Sequence, residues 1–185
     1  MAESNGRDVV AGRIASIRVY PVRSMAGVDR SSADVDTTGL VGDRAATVVG
    51  DDGRSVRGKD APGLRELTPT GDAGADAGTL SDLLGRPVRI VSDPGAGQAA
   101  VHLVSTAALA RAAAGEVPEG CSAEDPRANL VLELGGEDDE RAWVGRLLRL
   151  GDVVLEVTRT PKHCLGVYAE VRRAGRLSVG DAVLL

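Results

Sequence analysis

The chain has 185 residues, 43% of them apolar, and a net charge of −5. That length suits one domain or two small halves sharing a core, and the negative balance, with no basic run, argues against nucleic-acid binding, which leans on neutralising phosphates. One Trp, two Tyr and no Phe leave Val, Leu, Ala and Ile to build the core.

The opening MAESNGRDVVAG has no basic segment leading into an apolar run, so it does not read as a secretory signal, and residues 1–12 read as a loose tail. RIASIRVYPV (13–22) predicts a strand whose end is marked by Tyr20-Pro21, because proline cannot donate to a ladder. SSADVDTT (31–38) alternates weakly and runs into the glycine-marked turn GLVGDR. DRAATVVGDDGRSVRG then predicts a hairpin about a GDDG turn. TPTGDAGADAG (68–78) is of low complexity and reads as a loop. TLSDLLGRPVRIV predicts a short helix capped by Thr79 or Ser81 and ended by Gly85, then a strand. DPGAGQAA reads as a linker between two halves, 13–92 and 96–185, packed as one unit.

VHLVSTAALARAAAG predicts a strand, an N-cap at Ser105 or Thr106, an Ala-rich helix and a stop at Gly115. RANLVLEL (127–134) reads as a strand, and RLLRLGDVVLEVTRT (146–160) as a hairpin about Gly151-Asp152. There Val153, Leu155 and Val157 alternate with more polar neighbours, the period of a half-buried strand. GRLSVGDAVLL repeats the device with Gly180-Asp181. Many short strands, Gly-Asp turns and few helices predict a mainly β, α+β fold with a barrel-like core. No stretch approaches the roughly 18 apolar residues of a membrane helix.

The candidate chemistry centres on Cys164, in VTRTPKHCLGV. Lys162 and His163 precede it, and a thiol beside cationic groups is expected to have a lowered pKa; the thiolate is both nucleophile and metal ligand. The alternative is a buried, inert cysteine acting as a small hydrophobe. A Cys164/His163 dyad is disfavoured on an extended segment, where neighbours face opposite ways. Cys121, in the polar PEGCSAEDP, has no cationic neighbour in sequence and reads as incidental. Two cysteines make no disulfide framework, so a reducing cytoplasm and two free thiols are expected.

Ser105 and Thr106 read either as a cap or as part of an anion site at a helix N-terminus. Arg23 in YPVRSMAG and Arg44 in GDRAATV stand at strand ends; with the later PRAN they would form an oxyanion cage if the fold gathers them. Arginine far outnumbers lysine, of which there are only Lys59 and Lys162, so composition alone supplies arginines widely. Walker A, dinucleotide-binding, CxxC and HExxH patterns are absent, leaving no haem, zinc or NAD signature.

Taken in order, IRVYPVRSMAG, TTGLVGDRAATVVGDDGRSVRGKDAPGLREL, VHLVSTAAL, DPRANLVLEL, WVGRLLRLGDVVLEVTRTPKHC and GRLSVGDAVLL resemble the MOSC family, named for the C-terminal domain of molybdenum cofactor sulfurase. The resemblance covers residues 13–185 and points to the amidoxime-reducing branch. It implies a barrel-like core, an N-terminal β-barrel module over 13–92 and the MOSC domain over 96–185. It also implies a molybdenum cofactor, its metal held by Cys164 and its pterin phosphate by Arg23, Ser24, Arg44, Ser105, Thr106, Arg127 and Asn129; Lys59 is a weaker match. The implied activity is molybdenum-dependent two-electron oxo transfer or reduction of an N-oxygenated small molecule, served by a separate electron-transfer protein. The alternatives are a persulfide carrier fed by a sulfur donor, or a MOSC-fold enzyme recruited to other cysteine chemistry such as C–S cleavage. The sequence departs from the family in three places: PRAN replaces the usual F-R-P-N, His163 stands where arginine or another polar residue is common before the cysteine, and residues 50–100 are short and glycine-rich.

Overall fold

Val153, Leu155 and Val157 are all buried while Val154, Glu156 and Thr158 are less so, and the strand they predict closes into a barrel. The structure, a computed structural model, describes residues 9–93, 101–122, 124–136 and 139–185. Its strands in chain order are β1 (Val10–Val19), β2 (Val28–Arg30), β3 (Ser32–Asp36), β4 (Gly39–Leu40), β5 (Ala46–Gly50), β6 (Val88–Ser92), β7 (Val101–Ser105), β8 (Leu130–Leu134), β9 (Leu147–Leu150), β10 (Val153–Arg159), β11 (Val167–Arg173), β12 (Gly175–Ser178) and β13 (Ala182–Leu184). Two α-helices are described, α1 (Ala73–Leu84) and α2 (Thr106–Ala113).

The main sheet runs β13-β9-β10-β11-β7-β8-β1, and a β13–β1 pairing closes these seven strands; β2 extends from the outer edge of β1. All its pairs are antiparallel except β7–β8. Side chains fill so small a barrel. Here they are Ile14, Ile17, Leu103, Leu130, Leu132, Leu148, Leu150 and Leu155, with Trp143 the one aromatic ring in the cluster. The mainly β fold is thus as expected from the short strands and Gly-Asp turns, and the aliphatic core as expected from composition.

A second core lies beneath β5, β6 and α1, built from Val22, Met25, Val48, Val56, Leu64, Leu80 and Val88. A third packs Ala108 and Ala112 of α2 on Val104, Ala128 and Leu165. Strand β12 pairs with β3, and β3 with β4, in a separate small sheet. Among the described residues no helix is long and apolar enough to cross a membrane.

Several local expectations need correction. The strand read from residue 13 begins at Val10, inside the expected tail; residues 1–8 lie outside the described ones. The expected linker falls almost wholly on residues 94–100, also outside them. The low-complexity stretch is not all loop, because α1 starts at Ala73. Asp72 caps it, its side chain accepting from Gly74 and Ala75 amides at 2.9 and 3.0 Å. A good cap and the burial of Leu80 offset the two glycines in the first turns. The stop at Gly85, with φ of 61°, is as expected.

The GDDG hairpin is reduced to one bridge between Val49 and Ser55, and β5 pairs instead along its length with β6. Polar, exposed Arg54 and Ser55 give that second arm little apolar surface to hold a ladder. The Gly180-Asp181 turn does not make a hairpin either: β12 leaves to β3 while β13 enters the barrel. Val167–Arg173, which carried no predicted element, is the barrel strand β11.

Candidate functional site

The YPVRS and GLVGDR segments meet where β1 ends. The Tyr20 amide donates to Asp43 Oδ1 at 2.8 Å, and the Arg44 amide donates to the Tyr20 carbonyl at 2.6 Å. These bonds hold Arg44 at φ 52°. Ser24 (69°) and Arg127 (56°) are the other non-glycine residues at positive φ among those described. Each such residue stores roughly 1–3 kcal/mol, and strain of this kind gathers at ligand sites. All three line one cavity of about 450 Å³.

The cavity wall also carries Arg23, Arg57 and Arg65, so five guanidinium groups face it against one carboxylate, Asp93. Arg23 Nε lies 3.4 Å from Asp93 Oδ2 but makes no hydrogen bond, and Arg65 pairs with Glu124 at 3.3 Å. The Arg57 side chain has no partner among the described residues. Arg44 and Arg127 lie against the Tyr20 ring, at 5.0 and 4.3 Å from its centroid. Arg44 pairs with Asp43 and donates to the Arg127 carbonyl at 3.2 Å; Arg127 donates to the Met25 carbonyl at 2.6 Å. Burial first, and then the charges of Arg44 and Arg65, hold the Arg127 guanidinium below its usual pKa. An anion seated here would relieve that crowding.

Four residues expected in an anion cage, Arg23, Ser24, Arg44 and Arg127, therefore share one cavity. Asn129, Ser105, Thr106 and Lys59 do not line it. Asn129 is buried; its Oδ1 accepts from Arg44 at 3.4 Å and from the His102 amide at 3.2 Å, and its Nδ2 donates to the Arg18 carbonyl. Its side chain is buried and braces Arg44. Ser105 is wholly buried and caps α2, accepting from Ala108 at 3.0 Å. Its own amide donates to Glu140 Oε1 at 3.1 Å. A buried carboxylate thus already occupies the positive end of α2, where the sequence suggested an anion. Thr106 is exposed in the first turn of α2.

Cys164 lies in the loop joining β10 to β11, half-buried and free. Burial pushes its thiol pKa up, while Tyr168 hydrogen bonding and the Arg141 charge act the other way without prevailing. The expected lowering by Lys162 and His163 is not found. His163 faces the Gly120 carbonyl, Nδ1 to O 3.3 Å, and forms no dyad with the thiol.

Contacts link Cys164 to the cavity. Tyr168 stands between Cys164 and His102, with the two rings 4.7 Å apart. His102 Nε2 meets the Leu165 carbonyl at 2.7 Å, next to Cys164, and the His102 amide meets Asn129, which holds Arg44. Sequence reasoning missed Tyr20 and Tyr168, although they are the only two tyrosines in an aromatic-poor chain, and missed Arg57 and Arg65 among abundant arginines.

His102 yields a pH prediction. Burial pushes its pKa down from 6.5 to about 4. Between those values the unfolded chain binds a proton that the folded one does not. The contribution of neutral His102 is complete above pH 6.5 and falls as pH drops towards 4, by roughly 3 kcal/mol in all. Urea unfolding at pH 7 and pH 4.5 measures the loss, and His102→Gln, which keeps a donor towards Leu165, is expected to shrink it.

Residues 11–117 match the family described as the MOSC N-terminal beta barrel domain. The structure is similar to the crystal structure of the YuaD protein of Bacillus subtilis, with a TM-score of 0.55 over 96% of each chain at 13% identity. That likeness is one of fold. No curated protein matches the sequence. A family match spanning more than half of the residues, with which the mainly β structure and its closed seven-stranded barrel are consistent, shows that this protein belongs to the MOSC family through its N-terminal beta barrel domain.

Proposed function

We propose that the protein binds a molybdenum cofactor and reduces N-oxygenated small molecules, with electrons from a separate protein. The observation that carries this reading is the gathering of the three strained non-glycine residues among those described, Ser24, Arg44 and Arg127, with three further arginines around a single cavity. The residue types suit such a group at each end, with Cys164 outside the wall of the arginine cavity. A phosphate monoester calls for several planar donors and few carboxylates, the composition of this wall. A soft metal calls for a thiolate. Among the described residues no cluster of three or more His, Cys, Asp or Glu forms a metal site. A metal at Cys164 would therefore bring other ligands with it, as a pterin-bound one does.

In this reading Arg23, Ser24, Arg57, Arg65 and Arg127 would hold the phosphate beside Arg44, which Asp43, Asn129 and Tyr20 brace. Cys164 would be the protein ligand, held as the thiolate by the metal's charge. The Tyr168 hydroxyl stabilises the sulfur in its anionic form. When bound, the cofactor supplies two-electron oxo transfer. Ser105 and Asn129 act as supports in place of the direct contacts the resemblance implied.

The test is to produce the protein in a molybdenum-replete host and measure molybdenum and pterin after purification. Stoichiometric content of both is expected, and protein carrying neither overturns the reading. Inorganic phosphate binding followed by calorimetry isolates the cavity. Arg57→Ala, which removes an unpaired guanidinium, is expected to weaken it by about 10- to 100-fold, the worth of one or two charge-assisted hydrogen bonds. A second reading, a persulfide carrier, is favoured by the proximity of a second thiol to the Cys164 loop. Desulfurase and cysteine would then load sulfur on Cys164 and not on Cys121, read by mass spectrometry.

A further inference from the structure

Cys121 and Cys164 lie far apart in sequence, on different loops, yet the fold joins those loops. The Ser122 amide donates to the His163 carbonyl at 3.1 Å, and His163 Nδ1 meets the Gly120 carbonyl at 3.3 Å. Between these two contacts the Cys121 thiol donates to the Cys164 carbonyl at 3.3 Å. A carbonyl oxygen lies about 2.4 Å from its own Cα, so the Cys121 sulfur is within about 6 Å of the Cys164 Cα. Adding the roughly 2.8 Å from the Cys121 Cα to its sulfur bounds the Cα separation at about 8.5 Å, so the roughly 4.4–6.8 Å of a disulfide is reached once the Cys164 sulfur turns from Tyr168 and the two joined loops draw together by about 2 Å at most.

Arg141 adds a charge. Its Nη1 lies 3.8 Å from the Cys121 sulfur, in the 3₁₀ turn at Glu140–Trp143. This corrects the sequence reading, in which Cys121 had no cationic neighbour. A guanidinium beside that sulfur can hold a carboxylate of an incoming reagent. Beside both loops opens a cavity of about 380 Å³, lined by Val117, Pro118, Arg111, Arg141, Leu165 and Gly166 among others. Arg111 and Arg141 are balanced there by Glu116 and Asp139, a lining that suits a small disulfide carrying both carboxylate and ammonium groups.

We infer that Cys121 and Cys164 form a redox-active dithiol, in which Cys121 reacts with a low-molecular-weight disulfide bearing carboxylate and ammonium groups and closes a reversible bridge to Cys164. The Cys121 thiolate attacks the external disulfide and expels one thiolate, leaving a mixed disulfide on Cys121. The Cys164 thiolate then attacks the Cys121 sulfur and expels the second. Two protein thiols are oxidised, the reagent is reduced to two thiols, and the two protons pass to solvent or to the departing thiolates. Excess thiol reverses both steps. While the bridge stands, Cys164 can neither ligate a metal nor carry sulfur; that consequence, unlike the bridge itself, rests on the function proposed above.

The full chain, produced in molybdenum-free medium, is incubated with excess glutathione disulfide, quenched with N-ethylmaleimide and digested. The expected product has lost two hydrogens, carries no glutathione, and yields a peptide cross-linked between Cys121 and Cys164. Cys164→Ser is expected to stall as a stable glutathione adduct on Cys121. Arg141→Gln should slow bridging several-fold without changing the end product. Any other wild-type product overturns the inference, whether glutathione retained on either cysteine, a bridge between two chains, or unreacted dithiol. Because the readout is mass on metal-free protein, the bridge can fail while cofactor binding succeeds, and the reverse.

Discussion

Cys164→Ala is expected to lower turnover of an N-oxygenated substrate by at least about 10³-fold, the scale on which loss of a reacting side chain acts, and to remove bound molybdenum. Phosphate affinity of the arginine cavity is expected to stay unchanged, since Cys164 is not among its lining residues. Alanine at a half-buried loop position leaves the barrel core untouched, so the unfolding midpoint should hold. The two readouts separate the classes of function. A molybdenum or persulfide protein loses its chemistry and keeps its anion site. A pure anion-binding module loses nothing, and retention of full activity would remove Cys164 from the reacting centre.

Gly166→Ala is expected to cost about 3–5 kcal/mol, at the upper end of single substitutions. Gly166 sits at φ 81°, and a Cβ there would fall 2.0 Å from the Leu103 carbonyl oxygen. That oxygen belongs to the strand against which Val167 pairs, so neither side can yield without parting β7 from β11. Gly53→Ala is the control. It has φ of 72° but open space around its Cβ, so only the backbone penalty of about 1–2 kcal/mol applies. Equilibrium denaturation of both variants distinguishes clash from strain; equal losses would show that the close approach at Gly166 carries no extra cost.

Much of the fold was legible because its signals are local. Gly151-Asp152 between alternating runs predicts β9–β10, Tyr20-Pro21 marks the end of β1 to within a residue, and Ser105 caps α2 as expected. Failures came where partner choice is distant. Nothing near Gly180 reveals that β12 and β13 go to different sheets, and β5 takes β6 across α1 in preference to its neighbour. The start of α1 was hidden because Gly74 and Gly78 mimic a loop, while Asp72 was not weighed as a cap.

The site divided in the same way. Arg23, Ser24, Arg44 and Arg127 were found through residue patterns that travel with the family. Arg57 and Arg65 look like every other arginine until packing turns them to one wall. Helix-start chemistry made Ser105 look like a phosphate contact, and only the fold shows Glu140 already there. Cys121 gained its meaning from Arg141 and the second loop, neither of which is near it in sequence.

The pairing of β1 with β13 has a kinetic consequence. Val10 meets Leu184 across that seam, and β1 also needs β8 before it has two neighbours. Loop-closure entropy for such distant contacts must be overcome before they stabilise anything, which makes folding slow. Until β13 docks, β1 and β9 both present unpaired edges beside an aliphatic interior, the surface from which a nascent or truncated barrel would aggregate. A polypeptide ending at residue 117, where the family match ends, would hold β1, β7 and α2 but none of β8 to β11 or β13, and so would remain an open, sticky fragment.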